Sequence, residues 1–320
     1  MKSSKVIENK AQAKPLVSKK RFRLSEFIIE KVIFLTSFFA ILGVILIFVF
    51  VFREALPVLI SPEVKKEASL KLFFSTIIWQ PVSDLPRYGL IPLVIGTFKV
   101  VAVSLFFAIP ISVGAAIYTS EFAPLKLKEF IKPIVEILAG IPSVVLGFFA
   151  LMVMASFFHS IFHSTMRLNA FNAGIALSFA IIPVIYSIAE DALNSVPRSL
   201  KEASLALGAN RWQTAFRISL SVAMPGVLAG IILGLGRAVG ETMIVLMASG
   251  NASMLSANIF DSVRTMSATI AAELGEVVHG SAHYNVLFFI GASLFVFTLI
   301  INSLAQLVVG RLQRKLAGKI

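Results

Sequence analysis

Arg237 and Glu241 stand four residues apart in an otherwise apolar stretch, GLGRAVGETMIVLMASGN, which runs from Gly234 to Asn251. A guanidinium is a planar fork that matches the oxygens of a phosphate or carboxylate two at a time. A carboxylate four residues on can hold that fork ready or compete for it. At the centre of a bilayer a charged Arg costs roughly 2.5–3.5 kcal/mol even on the lenient insertion scale, so it must face protein or a watery path. Three roles are open to the pair: a clamp between helices, a transient contact for an oxyanion, or a proton relay. A buried pair is inefficient glue, because desolvation can cancel the attraction. An anion path must bind weakly enough to release. One Arg opposed by one Glu suits that better than a cluster of arginines.

Other residues with possible chemistry are fewer. Lys99 lies about eight residues inside a second apolar stretch. It can snorkel to the nearer interface or attract an anion. Glu136 sits near the end of a third stretch and reads as an interfacial or interhelical partner. The four histidines form two i, i+4 pairs, His159/His163 and His279/His283. That spacing can ligate a metal on a helix, but there is no H-E-x-x-H, and no metal site is expected. Gly234-x-Gly236-xxx-Gly240 lacks the spacing and the βαβ context of a dinucleotide site. No G-x-x-x-x-G-K-[ST] loop is present, so the chain is not expected to hydrolyse ATP. Cysteine is absent, which excludes disulfides and thiolate metal sites.

The elements that hold these residues must be membrane spans. Of 320 residues, 57% are hydrophobic and 14% charged, with a mean hydropathy of +0.89. Six stretches are long enough to cross: about Glu30–Phe52, Ile91–Tyr118, Ile134–Phe158, Phe171–Ala189, Val222–Met247 and Val286–Val309. The first is too long for a signal peptide and lacks a small-residue cleavage site, so it is expected to be retained. The net charge of +12 is not a nucleic-acid patch. It gathers at span ends, in alternate segments: the N-terminal tail, Lys126–Lys132, Arg198–Arg217 and Arg311–Lys319. By the positive-inside rule both termini are then cytoplasmic. Residues 1–28 form a basic tail near anionic lipid; residues 29–320 form the transmembrane domain, with an outer loop at about 54–90.

On a continuous fifth helix, Gly226, Gly230, Gly234, Arg237 and Glu241 fall at about 0°, 40°, 80°, 20° and 60°. Gly236 and Gly240 flank this side at about 280° and 320°. Both charges therefore share the glycine side, which lets helices approach closely. The expectation is that all five glycines pack helices.

The loop at about 190–220, EDALNSVPRSLKEASLALGANRWQTAFRISL, is more than a basic connector. Pro197 can open a helix. Lys201 to Leu207 are mostly good helix formers, and Gly208 can end the helix in the left-handed region. A short helix lying across the cytoplasmic face suits docking to a soluble partner, or lies at the interface with none.

Glu202-Ala203-Ser204, Gly208 six residues after Glu202, and Ile218-x-Leu220 resemble the EAA…G…I-x-LP loop of importer-type ABC permeases. The pattern has Pro after the Leu; here Ser221 stands there, with Pro225 four residues on. LAGIPSVVLGFFAL, GRAVGETMIVLMASGN, TMSATIAAELGE and WQPVSDLPRYGLIPLVIGT narrow the resemblance to the phosphate-specific PstC type, over roughly residues 28–313. The resemblance implies an all-α MetI-like core that forms half of a phosphate channel. It implies a PstA-like second half, a PstB-like ATPase dimer holding ATP and Mg, and an external PstS-like phosphate-binding protein. No cofactor is implied in this chain. It implies ATPase coupling at Glu202, Ala203, Ser204, Leu207 and Gly208 and favours the anion path at Arg237 and Glu241, with Lys99 as a further candidate from its position alone. Alternatives are a permease for phosphonate or sulfate, a stand-alone secondary transporter, and a non-transporting membrane receptor.

Overall fold

Without water, a chain can satisfy its backbone groups only as helices or a closed barrel. The apolar stretches here form helices. The computed structural model describes residues 24–316 and Gly318. The basic tail expected at residues 1–28 lies mostly outside the described residues. The chain forms two units, residues 1–50 and 51–320. The first unit contributes most of α1 (Leu24–Ala55). Among the described residues, six helical stretches are long and apolar enough to cross a membrane: Ile28–Ile60, Ile91–Phe122, Ser143–Phe162, Ala170–Asn194, Arg211–Gly240 and Ala282–Leu312.

The segment expected as an outer loop is a folded layer. It contains α2 (Pro57–Ile60), α3 (Pro62–Glu67), α4 (Leu70–Ser75) and a hairpin of β1 (Trp79–Gln80) and β2 (Arg87–Tyr88). Phe73, Trp79 and Tyr88 bury themselves with Leu93, Val286, Leu287 and Ile290. Apolar burial on the spans' ends is what orders it.

α5 (Ile91–Ile117) runs from this layer and ends in a π turn, Tyr118–Phe122. The third span differs from the single helix expected at Ile134–Phe158. It is α6 (Leu125–Gly140), then a break at Ile141–Pro142, then α7 (Ser143–Phe149), a π turn and α8 (Ala155–Phe162). Pro142 forces the break: it has no N–H, and the residue before a proline is pushed to extended backbone. Ile141 adopts φ −67°, ψ 124°.

α9 (Ala170–Asn194) is the buried centre, with Leu177, Ile181, Ile185 and Leu193 wholly buried. α5 and α12 (Leu220–Gly240) pack on it. α10 (Arg198–Ala206) and α11 (Arg211–Gln213) lie between α9 and α12. The break left open by Ser221 is absent: α11 passes through a π turn, Thr214–Ser219, straight into α12. The fifth span itself is broken further on. α12 stops at Gly240, Glu241 is extended at φ −69°, ψ 133°, and α13 (Met243–Ala248) restarts. α14 (Met266–Glu273) and α15 (Ala282–Leu316) complete the chain.

A Cβ on Gly226 would lie 2.5 Å from Ala192 Cβ, on Gly230 3.1 Å from Ile188 Cβ, and on Gly234 2.7 Å from Ile185 Cγ1. These three glycines set the α9–α12 distance. Gly236 and Gly240 do not share that task. A Cβ at Gly236 would meet only Asn302 Oδ1 at 3.8 Å, and at Gly240 nothing within 4 Å. Replacing Gly230 by leucine should overpack the contact by about 1–3 kcal/mol and lower the thermal unfolding midpoint in detergent. Gly240→Ala should leave that midpoint unchanged or raised.

Candidate functional site

The two broken helices meet. Gly147 of α7 packs on the first turn of α13: a Cβ there would lie 3.0 Å from Met243 O and 3.2 Å from Ile244 Cα. Only a residue without a side chain allows that backbone approach. Beyond this contact, Asn172 ties the two restarted helices to α9. Its side chain is wholly buried, and Nδ2 donates to Ala248 O at 3.1 Å and, more weakly, to Ala150 O at 3.4 Å. Both neighbours are acceptors, so the amide nitrogen must face them. Gly240 lies six residues, roughly 9 Å, beyond the Gly234–Ile185 contact. The fifth-span break therefore stands beyond the α9 contact, and the Gly147–α13 contact brings the third-span break to it.

Several backbone groups at the fifth-span break find partners. Glu241 N donates to Ala238 O at 3.3 Å, Thr242 Oγ1 to Gly240 O at 3.3 Å, and Ser267 Oγ of α14 to Glu241 O at 2.7 Å. Gly140, Pro142, Arg237 and Gly240 are exposed, while Ser143, Glu241 and Thr242 are half-buried. The breaks thus line an incompletely covered polar strip.

Arg237 occupies the last turn of α12, where a cation complements the helix dipole. Among the described residues its guanidinium has no hydrogen-bond or ion-pair partner. The i, i+4 pair with Glu241 is not formed, because Glu241 has left the helical path. The Glu241 carboxylate turns forward instead, with Oε1 3.4 Å from Ile244 N at the start of α13.

Lys99 is committed elsewhere. Its Nζ donates to Ser256 O at 2.5 Å and Asn258 O at 3.0 Å. It neither snorkels freely nor offers an open charge; it pins the irregular segment after α13. Glu136 is exposed on α6. His163 ends α8 at φ 48°, so it does not share a helical face with His159. His279 precedes α15, whereas His283 lies within it.

His283 belongs to a node at the hairpin end. Glu273 accepts from Arg264 Nη1 at 2.6 Å and Trp79 Nε1 at 3.0 Å, and lies 2.9 Å from His283 Nε2. Burial acts to raise the Glu273 pKa. The bonds from His283 and Trp79 and the charge of Arg264 outweigh it and hold the carboxyl below its ordinary 4.5. Burial, with Glu67 and Glu273 nearby, pushes Tyr88 up to about 12.

At the other end, α10 is closed as the sequence suggests. Gly208 adopts φ +85°, Gly208 N donates to Leu205 O at 3.0 Å, and Ala209 N donates to Ser204 O at 3.2 Å. This is a Schellman closure. Asn210 and Gln213 then form a reciprocal capping box that starts the fifth span. Ser204 faces inward, whereas Glu202, Ala203, Leu205, Leu207 and Gly208 are exposed. Leu207 is 89% exposed, an apolar side chain on offer to a partner.

The chain resembles known proteins in sequence and in fold. A family model described as binding-protein-dependent transport system inner membrane component matches residues 108–317. The chain belongs to that family. It is 38% identical over 239 residues to the probable ABC transporter permease protein YqgH of Bacillus subtilis, covering 73% of this chain and 77% of that one. It is 34% identical to the phosphate transport system permease protein PstC of Mesorhizobium japonicum (76% and 79% covered). The PstC of Haemophilus influenzae is 32% identical over 302 residues (87% and 92% covered). Its fold resembles the inward-facing MetNI methionine ABC transporter (TM-score 0.55, 23% identity, 70% of this chain and 95% of that one). It also resembles a bacterial ABC transporter for import of alginate (TM-score 0.56, 17% identity, 90% and 99% covered). The chain is thus a multi-pass membrane permease with a MetI-like core.

Sequence reasoning missed Asn172, Ser267 and the Glu273 node. Asn172 carried a signal, an amide at the edge of an apolar span; the node joins residues remote in sequence and carried none.

Because the folded Glu273 carboxyl is depressed, its stabilisation is complete above the ordinary value and is lost as pH falls through the folded one. Trp79 fluorescence, read in a Trp212→Phe background, should report loosening of the hairpin on acidification. Glu273→Gln should loosen it already at neutral pH and flatten that acid dependence.

Proposed function

We propose that this chain is one half of the channel of an ATP-driven phosphate importer, paired with a homologous PstA-like permease. The observation that carries the reading is the free guanidinium of Arg237 beside the two breaks. Its fork suits phosphate oxygens, and its lack of an internal partner leaves both edges open. The names of the PstC relatives supply the anion. Both termini and α10 are assigned to the cytoplasm, and the hairpin layer to the outside, where a PstS-like protein delivers phosphate.

In this reading a PstB-like ATPase dimer binds ATP and Mg and receives α10 through Glu202, Ala203, Leu207 and Gly208. Closure of the ATPase displaces α10. The capping box and continuous π turn transmit that displacement into α12 and so to Arg237. Glu241, whose carboxylate accepts from Ile244 N in this arrangement, competes with phosphate for Arg237 when the helices shift, which helps release.

Reconstitution with these partners tests the reading. Phosphate-loaded binding protein should stimulate ATP hydrolysis and uptake; sulfate- or phosphonate-loaded protein should not. Arg237→Gln should lower phosphate uptake at least about tenfold, equivalent to roughly 1.5 kcal/mol of charge-assisted hydrogen bonding, while the complex still assembles. Unchanged uptake would remove Arg237 from the path. Gly208→Val forces a β-branched residue into the left-handed region at about 1–2 kcal/mol, though no neighbour obstructs it. ATPase binding or coupled hydrolysis should fall; persistence of both would refute the docking assignment.

A further inference from the structure

α10 turns Lys201 and Ser204 toward the bundle. Ser204 Oγ lies 3.0 Å from Thr214 Oγ1, in the π turn that opens the fifth span. That contact adds little linkage, because the chain from Gly208 to Asn210 already joins α10 to the span. Lys201 reaches a different element. Its Nζ donates to Glu121 Oε1 at 2.7 Å, a contact 80 residues apart in sequence. The two side chains are only 21% and 11% exposed, so solvent and salt screen the pair less than one on an open surface.

Glu121 stands in the π turn Tyr118–Phe122 at the end of α5. The same turn is held from three other sides. Ser120 Oγ donates to Asn194 Oδ1 at 3.0 Å, at the end of α9. Lys128 Nζ of α6 donates to Ser120 O at 2.8 Å. The Phe122 ring lies 4.6 Å from that of Trp212, at the start of the fifth span. The cytoplasmic ends of the second, fourth and fifth spans and α6 therefore meet at one turn, and such irregular π turns recur at functional positions.

We infer that the Lys201–Glu121 ion pair is the strut that delivers movement of α10 to the second span. The inference rests on α10 being the ATPase-docking helix. An apolar contact lets surfaces slide, but a short ion pair resists both separation and shear. Displacement of α10 thus enters the bundle by two routes: along the chain into α12, and through Lys201 into α5. The second route ends at Lys99, which pins Ser256 and Asn258 beyond α13. Both sides of the Glu241 break are then driven by one helix. Lys201 and Glu121 are positioning residues; neither is assigned a contact with phosphate.

Charge reversal tests this in the reconstituted complex. Lys201→Glu and Glu121→Lys alone should each lower phosphate moved per ATP hydrolysed by about tenfold, with the ATPase still co-purifying. The double reversal should recover to within about threefold of the starting protein. An unchanged ratio in the single variants, no recovery in the double, or loss of the ATPase in the singles would overturn the strut. A second readout needs no phosphate. The chain has no cysteine, so Ser199→Cys and Tyr118→Cys can carry spin labels on α10 and on the π turn. Their separation should stay fixed between nucleotide-free and ATP-trapped states, and should change between those states in Lys201→Glu. Equal behaviour of both proteins would overturn the proposal. A starting complex that moves no phosphate would count against the assigned cargo, leaving the strut to be judged by the labels.

Discussion

A helix that breaks inside a membrane frees backbone groups that lipid cannot satisfy, so the chain must supply partners or keep the site beside water. This constraint organises the permease. Each break here has its own remedy. At Ile141–Pro142 the proline removes a donor, and its carbonyl accepts from Val145 N at 2.9 Å. At Gly240–Thr242 a hydroxyl from within the break and another from Ser267 of α14 take the freed carbonyls. Asn172 then fixes both restarted helices on α9. Arg237 takes no part in these bonds.

The same economy is visible at the two ends. At the α10 end, helix closure is local and readable: Gly208, Asn210 and Gln213 each do what their side chains favour. At the hairpin end, order comes from remote residues. Trp79, Arg264 and His283 converge on Glu273, and burial of Phe73 holds α4 beneath them. One end is closed by local caps and the other is held by a charged knot.

The spans were legible because apolar runs of that length have few alternatives. α5 starts at the expected Ile91, α9 and α15 contain the expected spans within longer helices, and the exposed α10 ends at its glycine stop. The breaks were not. Pro142 follows Ile141 in a run that reads as one span, and Gly240-Glu241-Thr242 carries no proline at all. Helical periodicity therefore extended the wheel through Glu241 and paired it with Arg237. The glycine wheel located the α9 contact at Gly226, Gly230 and Gly234. It could not say where that contact ends, since helix divergence depends on the partner. Lys99 lies in the second span as read, but its acceptors are backbone carbonyls of Ser256 and Asn258, which no side-chain pattern announces.

The central claim is that the two breaks line a hydrated phosphate path. The absence of native cysteine makes a direct measurement possible. Single cysteines at Ser143 and Thr242, with Phe39→Cys in the middle of the uninterrupted apolar α1 as the reference, can be reacted with a membrane-impermeant thiol reagent in the assembled complex. The account requires modification at positions 143 and 242 during ATP turnover, slowed by phosphate, and little at 39. Reaction at 143 and 242 no faster than at 39, or indifferent to phosphate, would contradict it.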